Sequence, residues 1–405
     1  MPGSELFGAE ERKEVNDVLE TGVLFRYNHD AIRKNHWKSR DFETALAKFN
    51  GVKFAHSCTS GSTAVAIAMA ACGIGAGDEV IVPPFTYIAT AEGAMLGGAL
   101  PIFAEIDETL CLSPEGIRAA MTPKTKAIVI VHMCGAMAKI TEILEICKEF
   151  NLLLIEDTAQ GLGASYKGKA AGTFGQMGCF SFDFFKIITC GEGGAIICND
   201  ENLYHKAEQF SDHGHDHLGD NRGAENHPIV GFNYRMGEMN AAVGLAQIRK
   251  IDYILSQQRK HKKVLHETLA KFPEISFRHI PDENGDAATF MDFFLPDEAT
   301  ARVVVAELKA LNVPDITGVQ YWYDNNYHYI RNWEHLRNMN SPMKMVVHLL
   351  GAPQDYNNLH LPKTENLMQR LISLVVKVAW TDEQLQALSS KITQALEKVF
   401  AKAKA

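Results

Sequence analysis

After about residue 40, the pattern of apolar and polar positions alternates between helical and strand-like segments. Apolar runs predict short buried strands at residues 80–83, 100–105, 126–132 and 152–155, and helices are predicted at residues 63–72, 86–96, 114–121 and 141–150. Strands that are apolar on both faces belong to a mostly parallel sheet covered by helices. The alternation therefore predicts a layered α/β domain.

The pattern changes near residue 250. Residues 239–249 and 251–271 predict two helices, the second long and charged, and residues 272–405 predict a strand, a helix, an aromatic segment and two terminal helices. A chain of 405 residues also exceeds what one hydrophobic core usually supports. We therefore predict a large domain over residues 1–250, whose N-terminal segment is free to pack elsewhere, and a smaller C-terminal α+β domain over residues 251–405 that includes the connecting helix.

Charge and cysteine usage narrow the class of protein. A net charge of -9 at pH 7 argues against nucleic acid or an anionic membrane as the main partner. The eight cysteines are scattered singly, which is typical of reduced, mostly buried thiols in a cytosolic enzyme. The N-terminus lacks the cationic and apolar parts of a signal peptide, and no stretch approaches the roughly 20 apolar residues that span a bilayer. We expect a cytoplasmic enzyme that acts on a small molecule.

Lys186 is the first candidate for chemistry. It ends the apolar segment 181–186 and is followed by the glycine turn 191–194. An amine in apolar surroundings beside a turn that lets the backbone come close suits Schiff-base chemistry. Lysine side chains also extend from helix ends without any function, so Lys186 alone does not establish a site.

Two further segments are candidates for binding an aromatic cofactor with a phosphate. Asp157 follows a predicted strand, at the sheet edge where ligands bind in α/β proteins, and could pair with a protonated ring nitrogen or simply cap a helix. Residues 59–63 precede an apolar helix, so the N–H groups of Gly61 and Ser62 could hold an anion, with a plain Ser/Thr cap as the alternative. No dinucleotide-binding or nucleoside-triphosphate motif of the usual glycine-rich kind occurs.

The remaining polar segments each have two interpretations. His213, His215 and His217 come near a metallo-hydrolase pattern, but the run is one residue short and Asp216 is displaced. We therefore predict no metal site and interpret this segment as a loop that helps recognise a substrate. Residues 321–333 are densely aromatic and polar, which suits either a ligand surface or the packing of the small domain on the large one.

Taken in order, these motifs resemble the DegT/StrS family of pyridoxal-phosphate-dependent sugar aminotransferases, a branch of the fold-type I aspartate aminotransferase superfamily. The segments that carry the resemblance are Ser60-Gly61-Ser62, Gly77 to Pro83, Phe85-Thr86-Tyr87, Glu156-Asp157, Ser181-Phe182, Lys186, Gly191 to Gly194 and Gly231 to Met236. It covers residues 8–270 firmly and extends loosely to about residue 400. The resemblance implies the fold-type I architecture, pyridoxal 5'-phosphate as cofactor and a homodimer with shared active sites.

The resemblance also implies roles at the cofactor ring. Lys186 would bond the cofactor and, once the amino donor displaces it, move the proton between the reacting carbons. Asp157 would pair with the pyridinium nitrogen and maintain its ability to draw electrons. Tyr87 would stack on the ring, and Gln160 would bond the ring hydroxyl.

The phosphate would be held by a second group of residues. The resemblance assigns Ser181 and the N–H groups of Gly61 and Ser62 to this dianion, which suits a helix N-terminus. Asn233 would reach the phosphate of the neighbouring subunit, so that the homodimer becomes part of the mechanism. None of these implied contacts is degraded in the sequence, which argues against a non-catalytic regulator that has merely kept the fold.

The chain departs from the family pattern in two places. Asp183-Phe184-Phe185 stands where members often have a His-Pro-Thr or His-Ala-Thr run, and Ser373-Leu374-Val375 replaces the common Ser-Leu-Pro. Relatives that dehydrate sugars carry a histidine in place of the lysine. Because Lys186 is present, we predict transamination and keep a sugar dehydratase as the weaker alternative.

The resemblance implies transfer of an amino group from glutamate to a keto- or aldehydo-sugar. The segment from His213 to Glu225 resembles the branch that forms 8-amino-3,8-dideoxy-manno-octulosonate for lipopolysaccharide, and we predict this product. The alternative is a nucleotide-linked keto-sugar, such as a dTDP-, UDP- or GDP-4-keto-6-deoxysugar. A free acidic sugar needs a cation at its carboxylate, and the candidates for that cation are Arg26, Arg222, His215, His217 and His328.

Overall fold

The structure is a computed structural model that describes residues 2–219, 221–313 and 318–403. The helices are α1 (Pro2–Glu5), α2 (Ala9–Thr21), α3 (Lys38–Asn50), α4 (Gly61–Ala71), α5 (Ala89–Leu96), α6 (Pro114–Ala120), α7 (Ile140–Phe150), α8 (Glu201–Phe210), α9 (Glu238–Ile248), α10 (Ile251–Leu269), α11 (Glu298–Ala310), α12 (Glu334–Arg337), α13 (Val346–Leu350), α14 (Pro362–Arg370) and α15 (Asp382–Ala403). The strands are β1 (Phe54–Cys58), β2 (Glu79–Val82), β3 (Leu100–Phe103), β4 (Thr125–Val131), β5 (Leu153–Asp157), β6 (Ser165–Tyr166), β7 (Lys169–Ala170), β8 (Met177–Ser181), β9 (Gly194–Cys198), β10 (Ser276–Phe277), β11 (Phe290–Phe294), β12 (Val319–Gln320) and β13 (Leu371–Val375).

The larger sheet has seven strands in the order β1-β9-β8-β5-β4-β2-β3. Strands β8, β5, β4, β2 and β3 run parallel to one another, and β9 pairs antiparallel with both β1 and β8. Consecutive residues such as Ile128, Val129 and Ile130 are all fully buried, because helices cover both faces. The prediction of a mostly parallel sheet covered by helices is therefore confirmed.

The register of this sheet positions the first candidate residue. Asp157 ends β5, beside Val131 of β4 and Cys179 of β8. The carboxyl ends of parallel strands meet at one edge of a sheet, where ligands bind in open α/β folds. Asp157 lies at that edge.

The smaller sheet contains four antiparallel strands in the order β10-β11-β13-β12. Strand β13 lies between the two helices that the sequence predicts to follow each other directly, so the prediction for this region was incomplete. Its residues, Leu-Ile-Ser-Leu-Val, are all buried, and a run this short has no periodicity that separates strand from helix. The domain boundary at residue 250 stays a prediction.

The aromatic segment 321–333 contacts the large sheet through its backbone. The N–H of Thr86 donates to the carbonyl of His328 at 2.9 Å, and the N–H of Ile88 donates to that of Tyr327 at 3.1 Å. This pairing joins the aromatic segment to the loop between β2 and α5, and α5 begins at Ala89 rather than at residue 86. It also brings the aromatic segment beside Tyr87.

The N-terminal segment connects distant parts of the chain. Helix α2 packs against α9, and the Glu5 carboxylate accepts the N–H groups of Val378 and Ala379, both at 2.9 Å. All eight cysteines are unpaired, and all but Cys72 are buried, as predicted. Over the ranges that the structure describes, we find no helix with the length and apolar character needed to cross a membrane.

Candidate active site

A cavity of about 690 Å³ lies at the carboxyl edge of the large sheet. Its wall includes all but one of the residues that the sequence assigns to the cofactor, namely Gly61, Ser62, Tyr87, Asp157, Gln160, Ser181 and Lys186. Trp322, Tyr327 and His328 of the aromatic segment complete the opposite wall. Residues from five separate parts of the chain therefore meet in one space.

Lys186 lies on the loop between β8 and β9. The loop is closed at its base, where the N–H of Phe182 donates to the carbonyl of Gly193 and that of Cys190 donates to Phe182, both at 2.8 Å. The Nζ atom of Lys186 lies 3.2 Å from Oδ2 of Asp183 and 5.9 Å from the centre of the Tyr87 ring. The amine is thus held inside the cavity beside an aromatic face.

Asp157 is buried at the floor of the cavity. Its Oδ2 accepts the hydroxyl of Thr90 at 2.8 Å, and its Oδ1 accepts the N–H of Ala159 at 3.0 Å. Burial raises the pKa of this carboxyl, while the two hydrogen bonds and the charge of Lys186 act in the opposite direction. A protonated ring nitrogen beside Asp157 would add a further opposite charge and favour the ionised carboxylate.

The start of α4 and Ser181 form an anion cradle. Ser60 caps the helix by accepting the N–H of Thr63 at 3.1 Å. The first N–H groups of a helix have no partner within it, so those of Gly61 and Ser62 remain as donors at the cavity wall. A Cβ at Gly61 would lie only 2.6 Å from Cβ of Ser181, which shows how closely the helix start approaches this hydroxyl. Two backbone donors, a hydroxyl and a helix dipole fit a phosphate dianion.

Gln160 and Tyr87 line the part of the cavity between Asp157 and the anion cradle, and they offer a polar amide and an aromatic ring. The Oε1 atom of Gln160 accepts the N–H of Cys134 at 3.0 Å, which directs the amide nitrogen, a hydrogen-bond donor, toward the cavity. The Tyr87 ring is 43% exposed, with the rings of Tyr327 and His328 at centroid distances of 6.5 and 5.4 Å. A flat heterocycle with a hydroxyl substituent fits between such groups.

Asn233 is the assigned residue that does not line this cavity. It is exposed, pairs with Asp212 in an isolated β-bridge, and its Oδ1 accepts the N–H of Arg235 at 3.4 Å. Its assignment to a neighbouring subunit stays a prediction.

Four of the five candidate cations lie outside the cavity, which corrects the sequence analysis. Arg26 is buried and donates to both carboxylate oxygens of Glu43 at 2.6 and 2.9 Å. Arg222 donates to both oxygens of Asp212 at 2.8 and 3.0 Å. Carboxylate partners also lie near the two histidines: His217 is 3.5 Å from Asp212, and His215 is 2.8 Å from Glu225. Carboxylates of the same chain therefore already pair with the two arginines, and burial lowers the pKa of His215 and of His217, which disfavours their charged forms.

His328 lines the cavity but is not a cation. Burial, and then the charge of Lys186, lower its pKa to about 3. The Oδ1 atom of Asn325 accepts the N–H of Tyr327 at 2.9 Å and lies 3.0 Å from Nδ1 of His328. Because Oδ1 only accepts, Nδ1 carries the imidazole proton and Nε2 is left as an acceptor. His328 can therefore bind a hydroxyl group but not a carboxylate.

Sequence reasoning missed the residues that support this wall. Trp322 donates its indole N–H to Ser373 at 2.6 Å, Ser373 donates to Asp292, and Asp292 pairs with buried Arg278 at 3.1 Å. The serine of the Ser-Leu-Val departure was the only signal for this network. The aromatic segment thus both packs the core and lines the cavity.

No metal centre emerges from the polar loops. In the described part of the chain, no group of three or more His, Cys, Asp and Glu side chains is arranged to hold a metal ion. His213, His215 and His217 have the local partners of a folded loop instead, including an imidazole contact between His215 and His227 at 4.1 Å.

Comparison with known proteins relates this geometry to a family. The model of the DegT/DnrJ/EryC1/StrS aminotransferase family matches residues 7–393. The chain is 45% identical over 221 residues to GDP-perosamine synthase of Caulobacter vibrioides, which covers 54% of this chain and 58% of that protein. With GDP-perosamine synthase of Vibrio cholerae it shares 38% identity over 264 residues, 65% of this chain and 69% of that protein. The chain thus matches less than two thirds of the Caulobacter protein's length.

The three-dimensional comparison covers the whole fold. An aminotransferase from Psychrobacter cryohalolentis superposes with a TM-score of 0.84 at 27% identity, covering 98% of both chains. This likeness confirms the predicted fold-type I aminotransferase architecture. The chain therefore belongs to the DegT/DnrJ/EryC1/StrS aminotransferase family, which confirms the family, enzyme class and pyridoxal phosphate cofactor predicted from the sequence.

Proposed function

We propose that the chain transfers an amino group from glutamate to a nucleotide-linked keto-sugar. The observation that carries this proposal is the meeting of the Lys186 amine, the buried Asp157 carboxylate and the anion cradle of α4 in one cavity. Each of these groups suits one part of pyridoxal phosphate. The amine suits its carbonyl carbon, the carboxylate its ring nitrogen, and the anion cradle its phosphate. These groups lie far apart along the chain, and we propose binding of one shared cofactor as the reason that they line the same cavity.

The side chains of the cavity would have separate roles around the bound cofactor. Bound pyridoxal phosphate supplies an electron sink for the carbon that loses a proton. Asp157 keeps the ring nitrogen protonated, which its hydrogen bonds from Thr90 and Ala159 allow by stabilising the ionised carboxylate. Lys186 accepts the proton from the substrate carbon and returns it to the other reacting carbon. Tyr87 and Gln160 orient the ring.

One observation supports a nucleotide-linked substrate over the free octulosonate. Both sequence relatives described above are synthases of GDP-perosamine, a nucleotide-linked amino sugar. Lys186 is the one lysine or arginine among the described residues of the cavity wall, and His328 is neutral. A sugar carboxylate and a nucleotide diphosphate are both anions, so the scarcity of cations on this wall applies to both substrates.

A twofold dimer is part of the proposal. Asn233 is exposed, and large apolar side chains are exposed on the same loop, namely Leu218, Val230 and Phe232. Phe184 and Phe185 are also exposed, directly beside Lys186. Contiguous exposed apolar surface is typical of an interface, and covering the cavity mouth with a second copy would complete the site.

The test uses the form of the enzyme that carries the amino group on its cofactor. This form is mixed separately with GDP-, dTDP- and UDP-4-keto-6-deoxysugars and with the free eight-carbon aldehydo-sugar acid, and the visible band of the lysine-bound cofactor is followed. We expect the band to return with a nucleotide-linked sugar and to be absent in Lys186→Ala. Its return only with the free sugar acid would establish the octulosonate reading instead, and loss of water from the sugar without any amino donor would indicate a dehydratase.

A further inference from the structure

Asp183 is a cavity residue to which the family resemblance assigns no role. It stands where related proteins often have a histidine, three residues before Lys186. It lines the same cavity, next to the exposed aromatic rings of Phe184 and Phe185. A carboxylate at this point departs from that common family pattern.

The two oxygens of Asp183 have different partners. Oδ1 accepts the N–H of Phe185 at 2.6 Å, a contact that shapes the local turn. Oδ2 accepts the hydroxyl of Ser181 at 3.3 Å and lies 3.2 Å from Nζ of Lys186. One carboxylate oxygen therefore joins the lysine to the serine of the anion cradle.

The two contacts of Oδ2 respond to different events: the contact with Ser181 to a bound phosphate, and the contact with Lys186 to protonation of its amine. The Ser181 hydroxyl has one proton to donate, so a phosphate at the start of α4 competes with Asp183 for it and repels the carboxylate. The contact with Lys186 gains strength whenever the amine is protonated. The Asp183 side chain is 33% exposed and that of Lys186 14%, so water screens the pair only in part.

We propose that Asp183 is a positioning residue that holds the ammonium group of Lys186 in the cavity while the amine is not bonded to the cofactor. The inference rests on the proposed function. During proton transfer the C–H bond of the substrate breaks, its electron pair stays on the carbon side, and the proton forms an N–H bond on the neutral amine. Asp183 forms no bond to the substrate, and its charge compensates the new ammonium until the proton is returned.

Several titratable groups share the cavity wall with this amine, including Glu192 on the glycine turn before β9. Asp157 approaches from β5, His328 from the aromatic segment and Tyr87 from the turn before α5. His328 is neutral, and Asp157 is proposed to pair with the ring nitrogen. Asp183 is the carboxylate that lies within ion-pair distance of the amine, with Oδ2 at 3.2 Å from Nζ of Lys186.

Asp183→Asn is the matched variant for the test. An asparagine oxygen can still accept the N–H of Phe185, and the side chain keeps its size. The substitution removes the charge and places an amide nitrogen, which donates, where Oδ2 faces Lys186 and Ser181. We measure the half-reaction with glutamate and, separately, the binding of pyridoxamine phosphate, which has no carbonyl and leaves Lys186 free. We expect kcat to fall about tenfold, with KM for glutamate changed less than about twofold, and Asp183→Glu to restore most of the loss.

Binding of pyridoxamine phosphate separates this role from a structural one. We expect its affinity for Asp183→Asn to be equal to that of the wild type or up to about fivefold tighter, because one negative charge near the phosphate is removed. An unchanged kcat would overturn the proposal. So would a loss of pyridoxamine phosphate affinity or thermal stability as large as the loss in kcat, since that would mark Asp183 as a structural residue.

The glutamate half-reaction also separates this inference from the proposed function. A failure of every sugar in the panel would overturn the substrate proposal and leave the test of Asp183 intact. A wild-type protein that forms no bond between Lys186 and the cofactor would overturn both.

Discussion

Gly61 offers a direct test of the anion cradle. A Cβ at this position would lie 2.6 Å from Cβ of Ser181 and 3.0 Å from its hydroxyl oxygen. Carbon atoms in contact are normally about 3.5–4.0 Å apart, so the new methyl group would overlap Ser181 by about 1 Å. Gly61→Ala therefore forces the start of α4 and Ser181 apart.

The sign of the effect distinguishes this geometry from an ordinary helix position. In a helix interior, Gly→Ala is favourable by up to about 1 kcal/mol, whereas overpacking of a close contact costs about 1–3 kcal/mol. If the methyl group displaces Ser181, the cost emerges as weaker binding of pyridoxal phosphate, by about 5- to 150-fold for that energy. If instead α4 and Ser181 keep their positions, the same cost lowers the free energy of unfolding. We expect the two losses together to reach about 1–3 kcal/mol.

The assay combines an absorption titration with pyridoxal phosphate and urea unfolding of the cofactor-free protein. Gly75→Ala is the control, because Gly75 lies outside the cavity and its nearest neighbour would be 3.7 Å from the added Cβ. In the double variant Gly61→Ala/Ser181→Gly the obstructing Cβ is gone, so we expect the free energy of unfolding to recover and cofactor affinity to stay low. Wild-type values of both quantities in Gly61→Ala would refute the close approach of α4 to Ser181.

Three further predictions concern the dimer, a titration and the cavity wall. A mixture of Lys186→Ala and Asn233→Ala chains should regain about a quarter of wild-type activity through hybrid dimers with one intact site, and a mixture no more active than its components would exclude shared sites. The unfolded chain protonates His328 near its ordinary pKa of 6.5 but the folded chain only near 3, so this residue lowers stability as pH falls through that window. His328→Gln should therefore flatten the acid limb of the free energy of unfolding by up to about 1.4 kcal/mol per pH unit between pH 6 and 4, and parallel curves would contradict the buried neutral imidazole. Ser373→Ala should lower the free energy of unfolding by about 1–3 kcal/mol, because it leaves the Trp322 indole without its acceptor and Oδ1 of the buried Asp292 carboxylate without its hydroxyl donor. Denaturant unfolding beside an exposed control, Ser390→Ala, checks this, and equal effects would rule out the network.

The parts of the site that sequence reasoning found are those with a local signal. Asp157 directly follows an apolar strand, and Gly61 and Ser62 directly precede an apolar helix, so a few neighbouring residues specify their positions. Parallel strands then bring such positions to one edge of the sheet, whatever their separation along the chain. The order of these motifs was also sufficient to suggest the family.

The sequence alone therefore determined the mostly parallel α/β layer, the family with its cofactor, and most of the assigned residues that meet in one cavity. Tertiary structure decided which charges are available to a ligand. Arg26 and Arg222 pair with carboxylates only in the folded chain, and only there does burial keep His328 neutral. It also decided that residues 371–375 form a strand, since their partners in β11 lie about 80 residues away. Local patterns persist from sequence to fold, whereas charge pairing and desolvation depend on neighbours that folding brings together.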